Sequence, residues 1–273
     1  MKFGIGSDVH GNWFALEAVI ADMEKAEIEH DRIILQGDTL GYNADSEKCA
    51  RNLSDTKIKV LMGNHDVAVL KKRGRAPANP LQAAAMERVN NFNPYAQAVV
   101  NYVSASASDE CIDYIAKMPF MQRFNHSVGV HEGLYDHSNY SFYFASEENP
   151  IVFGEQLNLT FEALENLSLP GHRLRRCFIG HSHTPGLMVQ GSIVFMPGRD
   201  KDTVYLGEDQ AIVDVGSIGQ PRDGDPRASW VEYDDEKETV TFRRVEYDID
   251  ATIARNNKIG IPEKLSDRLK IGW

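Results

Sequence analysis

The chain has 273 residues, 42% apolar and 25% charged, the makeup of a globular protein able to bury a large core. Its formal charge of −11 argues against a general nucleic-acid binder, which needs a basic footprint, but not against a phosphorylated substrate, since bound divalent ions reverse the field locally. No run of roughly 18 apolar residues offers a membrane span, and no leader-like pattern opens the chain. The three cysteines (Cys49, Cys111, Cys177) are too scattered for a disulfide framework or a thiolate site, so a cytoplasmic protein is expected.

The first stretch, Phe3-Gly4-Ile5-Gly6-Ser7-Asp8-Val9-His10, reads as a buried strand that releases an aspartate and a histidine at its tip. A helical pattern over 13–26 follows, with Asn12 as its N-cap. A strand over 32–35, a helix over 45–53 and a strand over 57–62 complete a β-α-β-α-β run, the signature of a mainly parallel sheet. Residues 67–120 carry no strand signal and show helical windows near 81–89, 95–103 and 110–117, so a helical insertion after the third strand is expected. Its basic cluster, 71–75, reads as a solvated loop or as a rim that attracts anions. Strands are expected at 121–124 and 127–131, then an aromatic loop with Tyr135, Tyr140, Phe142, Tyr143 and Phe144. A helix near 155–167 and a strand at 177–179 follow. Strands at 187–190, 192–195, 211–215, 229–233 and 239–244 come next, the last two joined by a hairpin over 234–238. Residues 250–273 read as C-terminal surface helices, and 1–273 as one domain.

Four apolar runs end in the same way. After the first come Gly37-Asp38, then Gly63-Asn64-His65-Asp66, then Gly180-His181-Ser182-His183, while His131 follows a further strand-like run. Taken singly, Gly37-Asp38 reads as a tight turn and His131 as a core histidine, while Asp8 reads equally as a turn residue or a ligand and Asn64-His65-Asp66 equally as a helix N-cap or part of a site. Together they offer imidazole, carboxylate and one amide without thiolate, a mix that suits Mn, Fe, Zn, Ni or Co rather than a structural zinc site. Residues two apart at a strand exit, such as Asp8/His10 and His181/His183, can aim at one ion because regular alternation has ended.

The order Asp-x-His, Gly-Asp, Gly-Asn-His-Asp, His, Gly-His-x-His closely resembles the calcineurin-like metallophosphoesterase superfamily. The second motif, Gly37-Asp38-Thr39-Leu40-Gly41-Tyr42-Asn43, lacks the Asp-Arg-Gly of protein phosphatases and symmetric dinucleoside tetraphosphatases. With the stretch from Gly216 to Arg227 it looks like the small prokaryotic phosphodiesterase branch, although Glu132 follows His131 where relatives usually carry glycine. The resemblance implies a four-layer α/β/β/α sandwich and a binuclear centre. Asp8, His10, Asp38 and His183 would hold one ion, and Asp38, Asn64, His131 and His181 the other. Two ions roughly 3.5–4 Å apart would clamp a phosphoryl group and turn a shared water into hydroxide. His65 would protonate the leaving group, and Asp66 would orient it and keep it cationic. Arg222 and Arg227 would either contact phosphate or pair with Asp223 and Asp225.

Two near misses carry no chemistry: Val9 breaks a dinucleotide-binding pattern begun at Gly4, and Thr184 breaks a nucleophile elbow around Ser182. The expected activity is metal-dependent phosphodiester hydrolysis, with manganese the first choice of metal and a small phosphorylated compound, such as a nucleotide, as substrate. The alternatives are a phosphomonoesterase, a nucleotide pyrophosphatase, or a non-hydrolytic metal-bound binding protein. Pocket walls are expected from the loops 39–44, 71–80 and 135–146.

Overall fold

Phe3 and Ile5 of β1 (Lys2–Gly6) point into one apolar cluster while Gly4 faces Met23 of the helix α1 (Trp13–Lys25), and this period-2 division sets the layers. The computed structural model describes residues 1–89, 92–136, 150–190 and 196–273. Next come β2 (Ile33–Leu35), α2 (Ser46–Ser54) and β3 (Lys59–Val60). The helices α3 (Asn64–Lys72), α4 (Pro80–Arg88), α5 (Pro94–Ser106) and α6 (Asp109–Ile115) form the expected insertion. After them run β4 (Met121–Phe124), β5 (Ser127–Val130), α7 (Pro150–Leu167), β6 (Arg176–Ile179), β7 (Gly186–Val189) and β8 (Met196–Pro197). The chain ends with β9 (Thr203–Tyr205), β10 (Ala211–Asp214), β11 (Ala228–Asp234), β12 (Thr239–Val245), α8 (Ile249–Lys258), α9 (Glu263–Asp267) and a 3₁₀ turn, Arg268–Lys270.

One six-stranded sheet has the order β3-β2-β1-β11-β12-β9 and the other β4-β5-β6-β10-β7-β8. The β1–β2–β3 and β5–β6–β10 neighbours are parallel, and the rest antiparallel. Alternate side chains of both sheets, among them Ile5, Ile34, Phe178, Val213, Val231 and Phe242, fill the space between them. The opposite faces pack outward. Leu35 and Trp230 meet α1 through Leu16 and Val19, and Cys177, Ile179 and Ile212 meet α7 through Leu157 and Leu164. Three apolar clusters thus separate four layers, the expected α/β/β/α sandwich.

Local signals explain several boundaries. Asn12 accepts a hydrogen bond from Ala15 N at 3.2 Å, and Asn79 and Asn93 cap α4 and α5, each just before a proline at the first helical position. The third strand is shorter than the expected 57–62 because the chain turns beyond it, with Met62 N bonding Pro119 O at 2.8 Å. Edge strand β9 escaped expectation because its residues are mostly exposed. The expected strand at 192–195 and Tyr140, Phe142, Tyr143 and Phe144 lie outside the described residues. No helix among the described residues is long and apolar enough to cross a membrane.

Candidate metal centre

The strand tips converge where β1, β2, β5 and β6 release their chains. There Asp8, His10, Asp38, His181 and His183 all have φ between +48° and +66°, five of nine non-glycine residues in the left-handed region among those described. Such a backbone is uncommon outside glycine, although Asp and His tolerate it better than most, and it persists where its surroundings hold it in place. Here the lock is visible. Asp8 N bonds Gly37 O, His10 N bonds Asp38 O, and His181 N bonds Asp8 Oδ2 at 2.9 Å. Ser182 Oγ, between the two histidines, donates to Asp214 Oδ2 at 2.5 Å, and burial raises the Asp214 carboxyl well above its usual range.

The side chains gather in two lobes. In the first, the Nε2 atoms of His10 and His183 face each other at 3.2 Å, and Asp8 Oδ1 lies 3.5 and 3.3 Å from them. His10 Nδ1 lies 3.2 Å from Leu40 O and His183 Nδ1 2.6 Å from Gln220 O, so each ring donates to a carbonyl and turns a lone pair inward. Asp8 Oδ1 is buried without a hydrogen-bond partner. Two lone pairs and an orphaned carboxylate oxygen at this range repel unless a cation lies among them, so this donor set fits a metal ion.

In the second lobe, Asn64 Oδ1 lies 3.0 Å from both His131 Nε2 and His181 Nδ1, which are 3.3 Å apart. His131 donates Nδ1–H to Gln36 O at 2.9 Å, which fixes its tautomer, and buried Glu132 places Oε1 3.7 Å from His181 Nε2. Asp38 stands between the lobes. Its Oδ2 is 3.6 Å from His10 Nε2 and 3.5 Å from His131 Nε2, while Oδ1 accepts the His65 backbone N–H at 2.8 Å. The structure thus brings together all seven residues expected as ligands. It corrects one spacing argument: His181 and His183 do not aim at one point but lie in different lobes, His183 with Asp8 and His10, His181 with Asp38 and His131.

Burial and the neighbouring charges oppose each other at these groups. Burial acts to lower the His131 pKa, yet Asp38, Asp8 and Glu132 raise it to about 10. Burial acts to raise the Asp8 carboxyl, and the imidazoles around it, His183 first, hold it well below its usual range. Burial pushes His181 down to about 3, with His131 adding to the shift.

His65 and Asp66 divide. The His65 ring packs against His10, Tyr42 and Phe92 at centroid distances of 4.8, 4.7 and 4.8 Å, and its Nδ1 has no partner. It also lies within reach of His10 and Asp38. The Asp66 carboxylate does not meet this ring. It accepts backbone N–H groups from Gly63, Leu40 and Thr39 at 3.0, 3.0 and 3.3 Å, tying the start of α3 to the 38–41 loop. Nor is His65 kept cationic: burial lowers its pKa to about 3 against the pull of Asp38. The expected role of Asp66 as the residue that orients His65 is therefore corrected.

The basic cluster divides as well. Arg73 pairs with Asp109 and Arg75 with Asp113 on α6, whereas Lys71 and Lys72 line a groove of about 470 Å³ with Phe92, Gln97 and Asn101. Tyr42, Gln36, Glu132 and Asp214 were missed by sequence reasoning. Tyr42, in the Gly41-Tyr42 motif, and Glu132, standing where relatives usually carry glycine, carried a local signal.

The family model described as calcineurin-like phosphoesterase matches residues 1–185, which contain every one of the clustered side chains. The chain belongs to the calcineurin-like phosphoesterase family. Calcineurin-like phosphoesterases are binuclear metal-dependent enzymes, and the two lobes are groups that could each hold an ion. A metallophosphoesterase from Sphaerobacter thermophilus has a crystal structure similar to this one, with a TM-score of 0.77 and 27% identity, covering 100% of this chain and 99% of its own. A hypothetical protein from Pyrococcus horikoshii OT3 shares the fold at a TM-score of 0.67 and 16% identity, covering 100% and 98% of the two chains. An uncharacterised protein of Methanocaldococcus jannaschii is 27% identical over 268 residues, 97% of this chain and 96% of that one.

Proposed function

We propose that this phosphoesterase hydrolyses phosphodiesters of small molecules, with Asp8, His10, Asp38 and His183 holding one divalent ion and Asp38, Asn64, His131 and His181 the other. The observation that carries the reading is Asp38 Oδ2, turned toward both lobes while its partner oxygen is committed to the backbone of His65. Two ions bound there would polarise the phosphoryl oxygens and supply a nucleophile from water at neutral pH. The oxygen and imidazole donors fit manganese first, then Fe, Zn, Ni or Co.

The chain's own part is positioning and hydrogen bonding to the departing oxygen. Hydrolysis forms one P–O bond to water oxygen, breaks the ester P–O bond and leaves the departing oxygen in need of a proton. His65, facing Asp38 with an unpartnered ring nitrogen, is a neutral imidazole that gives the departing oxygen a hydrogen bond from its N–H, while the proton itself comes from water. Asp66 is a positioning residue that holds the 38–41 loop on α3. Preference for diesters is supported by the likeness of the 37–43 and 216–227 stretches to the small prokaryotic phosphodiesterase branch. Three buried, unpaired thiols suit a reducing compartment and so a cytoplasmic setting.

The test is hydrolysis of bis-p-nitrophenyl phosphate by manganese-loaded protein. Turnover is expected, and Asp38→Ala is expected to abolish it while lowering bound metal in both lobes. Fully metal-loaded protein inert toward diesters, monoesters and nucleotides alike would overturn the reading in favour of a non-hydrolytic binding protein.

A further inference from the structure

Four imidazoles line the two lobes, and three of them are backed in the same way. His10, His131 and His183 each turn Nε2 inward and hold Nδ1 against a backbone carbonyl, that of Leu40 at 3.2 Å, Gln36 at 2.9 Å and Gln220 at 2.6 Å. His181 is reversed. Its Nδ1 faces the lobe, 3.0 Å from Asn64 Oδ1 and 3.3 Å from His131 Nε2, so Nε2 points away from it. Beyond that nitrogen stands Glu132, 4% exposed, with Oε1 at 3.7 Å. The separation is an ion-pair distance rather than a hydrogen bond, so the carboxylate acts on the ring as a charge.

Glu132 is not itself in the group that could close on one ion there, which is Asp38, His131 and His181. Its place is behind the ring, and the two lobes differ in a way that gives this place a consequence. The first lobe has two carboxylates, Asp8 and Asp38, whereas the second has Asp38 beside Asn64, His131 and His181, donors that carry no charge as ligands. Two ions of equal charge therefore meet unequal compensation from the atoms that touch them. A carboxylate behind a ligating imidazole fixes the ring and raises its basicity, and its full charge does so more strongly than the dipole of a carbonyl. The backbone holds this arrangement in register. Glu132 follows His131 directly, and Gly180 N bonds His131 O at 2.9 Å, so the exit that delivers one histidine of the second lobe also brings the charge behind the other.

We propose that Glu132 is a positioning residue for the second metal ion that acts through His181, keeping Nδ1 turned toward the lobe and supplying the negative charge that the donors there lack. The two lobes then hold divalent ions with comparable strength and fill together, as a reaction that uses both ions requires. This inference rests on the reading that assigns one ion to each lobe.

The test is calorimetric titration with manganese of the wild-type protein, Glu132→Gln and Glu132→Ala, with electron paramagnetic resonance to tell a coupled pair of ions from isolated ones. The wild-type protein is expected to bind two ions per chain. Glu132→Gln keeps the shape and removes the charge, so one ion should bind as in the wild type and the other roughly 10–100-fold more weakly. At limiting manganese the isolated-ion signal should then replace the coupled one. Glu132→Ala should weaken the same ion at least as much. His181→Ala should lose that ion too, and adding Glu132→Gln to it should weaken binding no further, because the two residues act as one unit. Melting temperatures of the metal-free variants identify any that has merely misfolded. Two ions bound with wild-type affinity in folded Glu132→Gln, equal weakening of both ions, or additive losses in the double variant would overturn the proposal. Wild-type protein that binds fewer than two ions would remove the two-ion assignment and this inference with it. The selective loss seen in a protein that turns over no phosphoester would instead remove the hydrolytic reading and leave Glu132 in its role.

Discussion

His65 sits where burial and charge oppose each other. Desolvation holds its imidazole neutral, with a pKa near 3, while Asp38 pulls the other way and loses. A neutral ring still carries one N–H, and the charge that builds on a departing ester oxygen is the acceptor this ring lacks in the resting site. The residue's other task is done by its backbone, which donates to Asp38 Oδ1 at 2.8 Å and is untouched by truncation of the side chain. His65→Ala should therefore keep two metal ions per chain by elemental analysis while kcat on bis-p-nitrophenyl phosphate falls roughly 10²–10⁴-fold. Loss of an ion in this variant would make His65 a ligand, as its closeness to His10 and Asp38 allows.

Strand exits, rather than helices, deliver the centre, and this decides what could be read from the chain. Apolar runs that stop at Asp or His are visible in one dimension, so Asp8, Asp38, His131 and His181 could be found before any coordinates. The helix α3 was obscured because its first turn is made of buried polar residues, Asn64, His65 and Asp66, which break the apolar period. Gln36 and Asp214 reach the centre through His131 and Ser182, partners distant in sequence, and nothing near them signals it. Gly41 shows how tightly an exit loop is fitted. Its φ is +137°, and a Cβ there would lie 2.5 Å from His10 Nδ1 and 3.1 Å from His65 Nδ1. Gly41→Ala should push the His10 ring off its bond to Leu40 O and weaken manganese binding by roughly 10–100-fold, the usual cost of disturbing a ligand's supporting contacts. Calorimetric metal titration reads this directly, and unchanged affinity in a folded variant would show that the loop yields without moving the ligand.

Across the whole molecule, the centre is also a joint between the two sheets. Asp8, His10, Asp38 and Asn64 follow strands of one sheet, and His131, His181 and His183 follow strands of the other. Another polar joint ties the sheets together. Arg176 of β6, fully buried, pairs with Glu238 in the β11–β12 turn at 2.7 Å and donates to the carbonyls of Gly207 and Asp209. Arg175 reaches the other oxygen of Glu238 at 2.9 Å. Removing Glu238 leaves a buried guanidinium facing carbonyls alone, so Glu238→Ala should cost about 3–5 kcal/mol in urea unfolding. Arg176→Met should cost less, because Arg175 still occupies the carboxylate and methionine fills much of the space. Ions that bind only the native arrangement must add stability with concentration, as RT ln(1 + [L]/Kd). Manganese should therefore raise the melting temperature of the wild-type protein and recover part of the deficit of Glu238→Ala, whereas Asp38→Ala should gain little. A manganese shift of equal size in Asp38→Ala would mean that the ion stabilises the fold from somewhere other than the joint between the sheets.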